Sequence, residues 1–174
     1  GLMGAMSVAG AKEYGIYAYV KHFALNDQQV SQEEMLCTWS TEQAIREIYL
    51  KPFELCVKVG ENNAMMSSWN YIGNVWTGGC EELLTNVLRD EWGFEGMVIS
   101  DGFHHTGYMN SDQAIRAGGD IMLKNFDVET NHVKDQESAT GIRAMRNACH
   151  NILYTVANSR ACDAKRTTGW ATWK

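Results

Sequence analysis

With 174 residues the chain is long enough to bury one core of ordinary size, yet short of the roughly 250 that a closed eight-unit α/β barrel takes. Apolar residues make up 45% of it and proline occurs once, which argues against a disordered chain; the formal net charge is -6, and the lack of any basic run argues against nucleic acid as a partner. Cys37, Cys56, Cys80, Cys149 and Cys162 are widely spaced and never form a Cys-x-x-Cys pair. They predict free, mostly buried thiols rather than a disulfide framework or a zinc site. The histidines show no metal spacing, and the adjacent His104 and His105 would point to opposite sides of extended backbone. No apolar run reaches the roughly 18 residues of a membrane span, and residues 1–10 lack the basic leader and cleavage site of a signal peptide. The expected setting is cytoplasmic, and residues 1–10 read as the tail of a helix that starts upstream.

Residues 1–12 carry Met3, Met6, Val8 and Ala9, a pattern for a helix packed on a sheet and broken at Gly15. A strand is predicted over 16–23, where Ile16, Ala18 and Val20 alternate with Tyr17 and Tyr19 before Lys21-His22. Residues 26–39 are polar and irregular, a long loop of the kind that carries function or moves. Ser40 and Gln43 form a capping-box pattern ahead of an apolar face of Ala44, Ile45, Ile48 and Tyr49. Pro52 should kink or restart that helix, and Gly60 should end it. A second strand over 64–69 runs into Asn70-Tyr71. A helix over 80–92 presents Leu83, Leu84, Val87 and Leu88 on one side and stops at Gly93.

The third strand rises out of Gly96 through Met97, Val98, Ile99 and Ser100 into Asp101. A short helix over 111–117 closes at Gly118-Gly119, and a fourth strand over 120–123 tips into Lys124-Asn125. The last helix, 139–158, has Ile142, Met145, Cys149, Ile152, Leu153 and Val156 at helical spacing. Residues 164–174 read as a polar tail, apart from Trp170 and Trp173.

Four strand–helix units in a row predict an α/β fold with parallel pairing. They suit a small doubly wound sheet, or half of a barrel with two open edges and a half-exposed core. A flavodoxin-like domain is disfavoured, because no glycine-rich phosphate loop follows a strand. In parallel α/β architectures the carboxyl ends of the strands share one face, where ligands bind. That face would gather Lys21-His22, Ser68-Trp69-Asn70, Asp101 and Lys124-Asn125, a set suited to sugar chemistry. An ionised Asp can attack an anomeric carbon, Lys and His can donate to hydroxyls, and an aromatic ring offers a flat apolar face.

Each residue also has an ordinary structural reading. An Asp after a strand caps helices and starts turns, a Lys-His pair at a strand end is usually surface, and Trp69 suits a core. Among the other acids, Glu33 and Glu34 fall in the long loop, and Glu81, Glu82 and Asp90 on a solvent-facing helix, so none makes a good general acid. Asp120 starts its strand at the far end from the tips and suits a structural role. Tyr108, His104 and His105 follow the Asp101 strand closely enough to reach the pocket.

Four stretches share one pattern: Lys21-His22-Phe23-Ala24-Leu25-Asn26-Asp27-Gln28, Arg46-Glu47-Ile48-Tyr49-Leu50-Lys51-Pro52-Phe53-Glu54, Met66-Ser67-Ser68-Trp69-Asn70, and the run from Leu84 to Asp101. Together they resemble the (β/α)8-barrel (TIM barrel) domain of glycoside hydrolase family 3, the β-glucosidase and β-xylosidase group, over about residues 1–160. The resemblance implies that Asp101 is the retaining nucleophile. It also implies that Lys21 and His22 bind the sugar where cleavage occurs, that Met66 and Trp69 line the same subsite, and that no metal or organic cofactor is needed. It makes residues 1–163 the C-terminal half of the barrel, strands five to eight, with 164–174 as a tail.

The departures are specific. Trp69 stands where the family usually has Tyr, Gly102 where an aromatic commonly follows the nucleophile, and Gln29 and Gln32 where Glu and Arg are frequent. The sugar-gripping carboxylate and arginine of the early strands, and the acid/base from a separate domain, are expected outside this chain. Retaining hydrolysis needs two carboxyl groups about 5–5.5 Å apart, so the chain alone is expected to be weak or inactive on β-glucosides. The alternative expectation is a non-catalytic remnant that binds sugar weakly or assembles with a complementary chain. Exposed sheet edges would favour self-association.

Overall fold

The computed structural model describes residues 1–103, 107–124 and 129–162. Helix α1 (Leu2–Glu13) stops at Tyr14, and Gly15 takes the positive φ of 69° that turns the chain. Strand β1 (Val20–Phe23) is shorter than the predicted 16–23. The first predicted residue is tied to the helix end instead, where the Ile16 N–H bonds back to the Ala11 carbonyl. Within the predicted loop, β2 (Cys37–Thr38) is the one paired segment among the described residues.

Helix α2 (Glu42–Ala44) is capped by Thr41, not Ser40: Thr41 Oγ1 accepts from the Ala44 N–H at 3.2 Å, while Gln43 turns to Glu47. The helix widens into a π-helical turn over Ile45–Tyr49 and resumes as α3 (Lys51–Lys58) with Pro52 in its first turn. Proline has no N–H to give there, and the first turn is the helical position that does not need one.

Strand β3 (Ala64–Ser67) leads into a hairpin of β4 (Tyr71–Ile72) and β5 (Val75–Trp76), turning at Gly73 with φ 62°. The predicted 80–92 helix is π-helical over Glu82–Glu91 and ends at Gly93 with φ 73°. After β6 (Met97–Ile99), α4 (Ser111–Ala117) is capped by Asn110 and closed by Gly118 at φ 108°. The predicted fourth strand is reduced to a single parallel bridge between Ile121 and Ile99. Helix α5 (Ala139–Ala157) is capped by the Ser138 hydroxyl.

The fold is α/β with a parallel sheet in the order β1-β3-β6, extended by the Ile121 bridge; β2, β4 and β5 form a second, small sheet. One face of the parallel sheet packs on the helices. Met65 and Val98 meet Leu50, Val57, Leu84, Leu88 and Trp92 there. Each such side chain stabilises the fold by about 1.5–3 kcal/mol when fully buried. Because side chains alternate along a strand, Met66, Met97 and Ile99 turn to the other face, where all are half-exposed.

Two expectations about apolar residues are corrected. All five cysteines are free, but Cys37, Cys149 and Cys162 are exposed and only Cys56 and Cys80 are buried. Helix α5 packs through Gly141, Ala144, Ala148 and Thr155, while Ile142 and Leu153 point outward. Small residues allow the helix a close approach to its neighbours, so the larger apolar stripe read from the sequence is not the packed one. Residues 164–174, with Trp170 and Trp173, lie outside the described residues.

Candidate active site

The tips of β1 and β3 are tied together by the polar residues that follow β3. The Ala24 carbonyl, just past β1, accepts from Ser68 Oγ at 3.3 Å and from Asn70 Nδ2 at 3.1 Å. The Ser68 carbonyl in turn accepts from the Trp76 indole N–H at 2.9 Å and from the Thr77 hydroxyl at 2.7 Å. Ser68, Asn70 and Thr77 are fully buried, and their side-chain donors find partners inside the protein, whereas Asn70 Oδ1 has none. The bonds they make fix the height of His22 relative to the next strand. The Lys21–His22 and Phe23–Ala24 peptide bonds are both cis.

Asp101 stands just past β6 and is 7% exposed. Its Oδ1 accepts from the Gly102 N–H at 2.8 Å. Its Oδ2 is buried, has no hydrogen-bond partner and lies 3.5 Å from His22 Nε2. The preceding Ser100 donates its hydroxyl to the Asp101 carbonyl at 2.7 Å and accepts the Leu123 N–H at 2.9 Å, which anchors the tip to the chain after the Ile121 bridge.

Burial pushes the Asp101 carboxyl above the ordinary carboxylate range; the Gly102 N–H, His22 and Lys21 pull it back, and the charge of Glu33 adds to the rise. Burial also lowers the His22 imidazole, with Lys21 adding to the fall and the attraction of Asp101 opposing it. At 3.5 Å the contact is at the outer limit of a hydrogen bond, so the lone pairs of Oδ2 are not taken up by a donor.

Lys21 is exposed beside this pair. Trp69 is half-buried and donates its indole N–H to the Gly102 carbonyl at 2.7 Å. Met66 sits on the half-exposed sheet face, paired in register with Ile99, two residues before Asp101. The structure therefore brings His22, Trp69 and Asp101 into one site, with Lys21 and Met66 on adjoining strands.

Tyr108, expected to follow the Asp101 strand closely enough to reach the pocket, packs behind Trp69. Its hydroxyl donates to the Trp69 carbonyl at 2.9 Å, and its ring meets Tyr71 and Trp76 at 5.6 and 6.4 Å between centroids. Burial raises the Tyr108 phenol, so it stays a donor across the physiological range. Glu33 lies in the 26–39 loop, and its charge raises both Asp101 and Tyr108. The usable signal was position, since the 26–39 loop begins at the Lys21-His22 tip. His104, His105 and Asn125 lie outside the described residues; Lys124 is exposed.

Asp120 takes the structural role expected of it at the far end of the sheet. It accepts from the Val98 N–H at 2.7 Å, Arg89 at 2.8 Å and Asn151 at 2.9 Å. Burial outweighs these donors and pushes its carboxyl up to about 6. A cavity of about 460 Å³ opens beside it, between α4, α5 and Glu82–Glu91. Arg89 there also holds the Gly96 and Gly118 carbonyls, so the cluster staples the fold. Among the described residues no group of three His, Cys, Asp or Glu side chains is placed to hold a metal ion. No described helix is long and apolar enough to cross a membrane.

Comparison with known proteins agrees with the α/β fold and its parallel strands. The family model described as the glycosyl hydrolase family 3 N terminal domain matches residues 1–149, and the chain belongs to that family. It is 40% identical to a beta-glucosidase of Rhizobium radiobacter over 116 residues, 67% of this chain and 14% of that protein. Beta-glucosidase A of Butyrivibrio fibrisolvens is 39% identical over 123 residues, 71% of this chain and again 14% of the relative. Among solved structures, beta-glucosidase 3B from Thermotoga neapolitana in complex with alpha-D-glucose superposes with a TM-score of 0.78 at 27% identity, covering 93% of this chain and 24% of that one. The beta-glucosidase from Kluyveromyces marxianus in complex with glucose gives 0.79 at 29% identity, covering 95% and 20%. The chain thus spans a small part of the length of the proteins it resembles.

Proposed function

We propose that this chain carries the nucleophile and part of the sugar-binding wall of a retaining β-glycosidase of the β-glucosidase type. The observation that carries the reading is the buried Asp101 Oδ2, which has no hydrogen-bond partner at a strand tip and faces His22. A carboxylate oxygen kept out of water and off other donors retains its lone pairs for attack.

In the reaction, Asp101 Oδ2 bonds to the anomeric carbon as the glycosidic C–O bond breaks, and the departing oxygen takes a proton from an acid group outside this chain. Water then attacks the same carbon, loses its proton to that group and releases the Asp101 carboxylate. The imidazole of His22 and the ammonium of Lys21 hydrogen-bond sugar hydroxyls, and Trp69 and Met66 give the ring an apolar wall. The substrate is a β-glucoside or related oligosaccharide, and the chemistry needs no metal or organic cofactor.

The second part of the proposal concerns assembly. The chain supplies barrel strands five to eight and works with complementary strands and an acid/base domain. Support comes from the half-exposed sheet face of Met66, Met97 and Ile99, from the exposed Leu2, Met3 and Met6 of α1, and from Leu153 of α5. Without those partners such surfaces favour self-association or a sugar-binding role without turnover.

Leaving-group dependence tests both parts. The isolated chain should release 2,4-dinitrophenol slowly from its β-glucoside and should leave methyl β-glucoside intact, because only the first aglycone departs without a proton. Asp101→Asn should abolish the release. Rapid cleavage of the methyl glucoside, or release that survives Asp101→Asn, would contradict the proposal.

A further inference from the structure

Two successive peptide units follow the Asp101 side chain, and both are pinned. In the Asp101–Gly102 unit, the carbonyl accepts from Ser100 Oγ at 2.7 Å and the N–H donates to Asp101 Oδ1 at 2.8 Å. In the Gly102–Phe103 unit, the N–H of Phe103 bonds to the Leu123 carbonyl at 2.9 Å and the carbonyl of Gly102 takes the indole N–H of Trp69 at 2.7 Å. Glycine is the residue with the widest backbone freedom, so a joint at Gly102 stays set only if the units on either side are held.

We propose that Trp69 is a positioning residue for Asp101: its indole N–H, by holding the Gly102 carbonyl, keeps the Gly102 N–H on Oδ1 and leaves Oδ2 turned toward His22. The inference rests on the reading of Asp101 as the nucleophile, but its geometry stands apart from turnover. Tyr108 extends the clamp. Its hydroxyl holds the Trp69 carbonyl at 2.9 Å, and its ring is wedged against Tyr71 and Trp76, which packs edge-on against the buried Phe103. The chain is therefore Tyr108 to Trp69 to Gly102 to Asp101, with the aromatic cluster as its base. In this arrangement Trp69 serves twice, as a ring surface beside the site and as a donor to the backbone behind the nucleophile.

Trp69→Phe separates these two uses, because it keeps an aromatic ring and deletes the N–H. The Gly102 N–H favours the ionised form of Asp101, so loosening it should raise the Asp101 titration midpoint. The measurement is carboxyl-carbon NMR on the whole 174-residue chain labelled at aspartate, with Asp101→Asn used to assign the resonance. Trp69→Phe is expected to move the Asp101 midpoint upward by about half a pH unit or more, to shift the Gly102 amide proton upfield, and to leave the Asp120 titration in place.

Tyr108→Phe removes only a hydroxyl and should give a smaller change of the same sign; it decides the matter if Trp69→Phe does not fold. Asp101 and Gly102 resonances that superimpose on those of the parent chain would overturn the proposal. Reaction with an activated 2-deoxy-2-fluoro-β-glucoside is scored separately. If the parent chain forms an adduct, Trp69→Phe should slow its formation about tenfold or more. If the parent chain forms none, the nucleophile reading fails while the titration still decides the positioning role.

Discussion

Replacing Asp101 by Asn exchanges a buried charge for a neutral amide of the same shape. In the parent chain Oδ2 is buried with no hydrogen-bond partner, and a buried polar group left so costs about 1–3 kcal/mol. The amide keeps an oxygen for the Gly102 N–H and places an –NH₂ where Oδ2 was, beside the His22 imidazole. What is lost is attraction to His22 and to Lys21, and Lys21 is exposed and screened by solvent. Asp101→Asn should therefore stabilise the fold at pH 7 by about 1 kcal/mol, a rise in Tm of roughly 2–4 °C for a chain of this size.

The pH dependence follows from the direction of the shift. The folded carboxyl lies above its usual range, so ionisation opposes folding. That penalty is absent below the unfolded value of about 3.9, where both states are protonated, and it grows as pH rises through the folded value. Thermal unfolding of both chains from pH 3.5 to 7.5 should show curves that meet at the acid end and separate toward neutrality. A variant less stable than the parent at pH 7, or a gain equal at both ends, would refute the reasoning.

Asp120→Ala should have the opposite effect, since it strips partners from the Val98 N–H, Arg89 and Asn151 in a buried cluster. A loss of about 3–5 kcal/mol in urea unfolding is expected, and a loss under about 1 kcal/mol would show that water replaces the carboxylate. Gly96→Ala would place a Cβ 2.0 Å from the Asn63 carbonyl oxygen, so β3 and β6 would have to move apart. The expected cost is about 1–3 kcal/mol, read as a lower urea midpoint; an unchanged midpoint would mean the strand pair can separate freely.

Much of the architecture was legible because the signals were local. Gly15, Gly93 and Gly118 marked element ends and adopt the positive φ that favours glycine there. The helix over 111–117 was placed from its stop at Gly118-Gly119, and the structure adds the Asn110 side chain as its N-terminal cap. Errors arose where pairing or packing decided the outcome. Residues 16–19 alternate as a strand should, yet the Ile16 N–H bonds to the end of α1. The apolar spacing along α5 misled because its contact surface is built from small residues. The hairpin at Gly73-Asn74 was missed although its dipeptide is a turn signal, because each of its strands has only two residues.

The site divides the same way. Asp101, His22 and Lys21 could be named because strand tips converge by topology, and the family resemblance supplied their roles. The burial of Oδ2, the bond from Trp69 to Gly102 and the reach of Glu33 depend on how loops fold over the tips, and no periodicity encodes that.

The central claim, that Asp101 is a nucleophile set in a formed half-site, is tested most directly by trapping the glycosyl ester. The folded chain is incubated with 2,4-dinitrophenyl 2-deoxy-2-fluoro-β-glucoside, whose leaving group needs little acid assistance, and then taken to intact-mass spectrometry and peptide mapping. The account expects one fluoroglucosyl adduct on the peptide containing Asp101, and none on Asp101→Asn. A folded chain that gains no mass, or gains it at another residue, would contradict the claim.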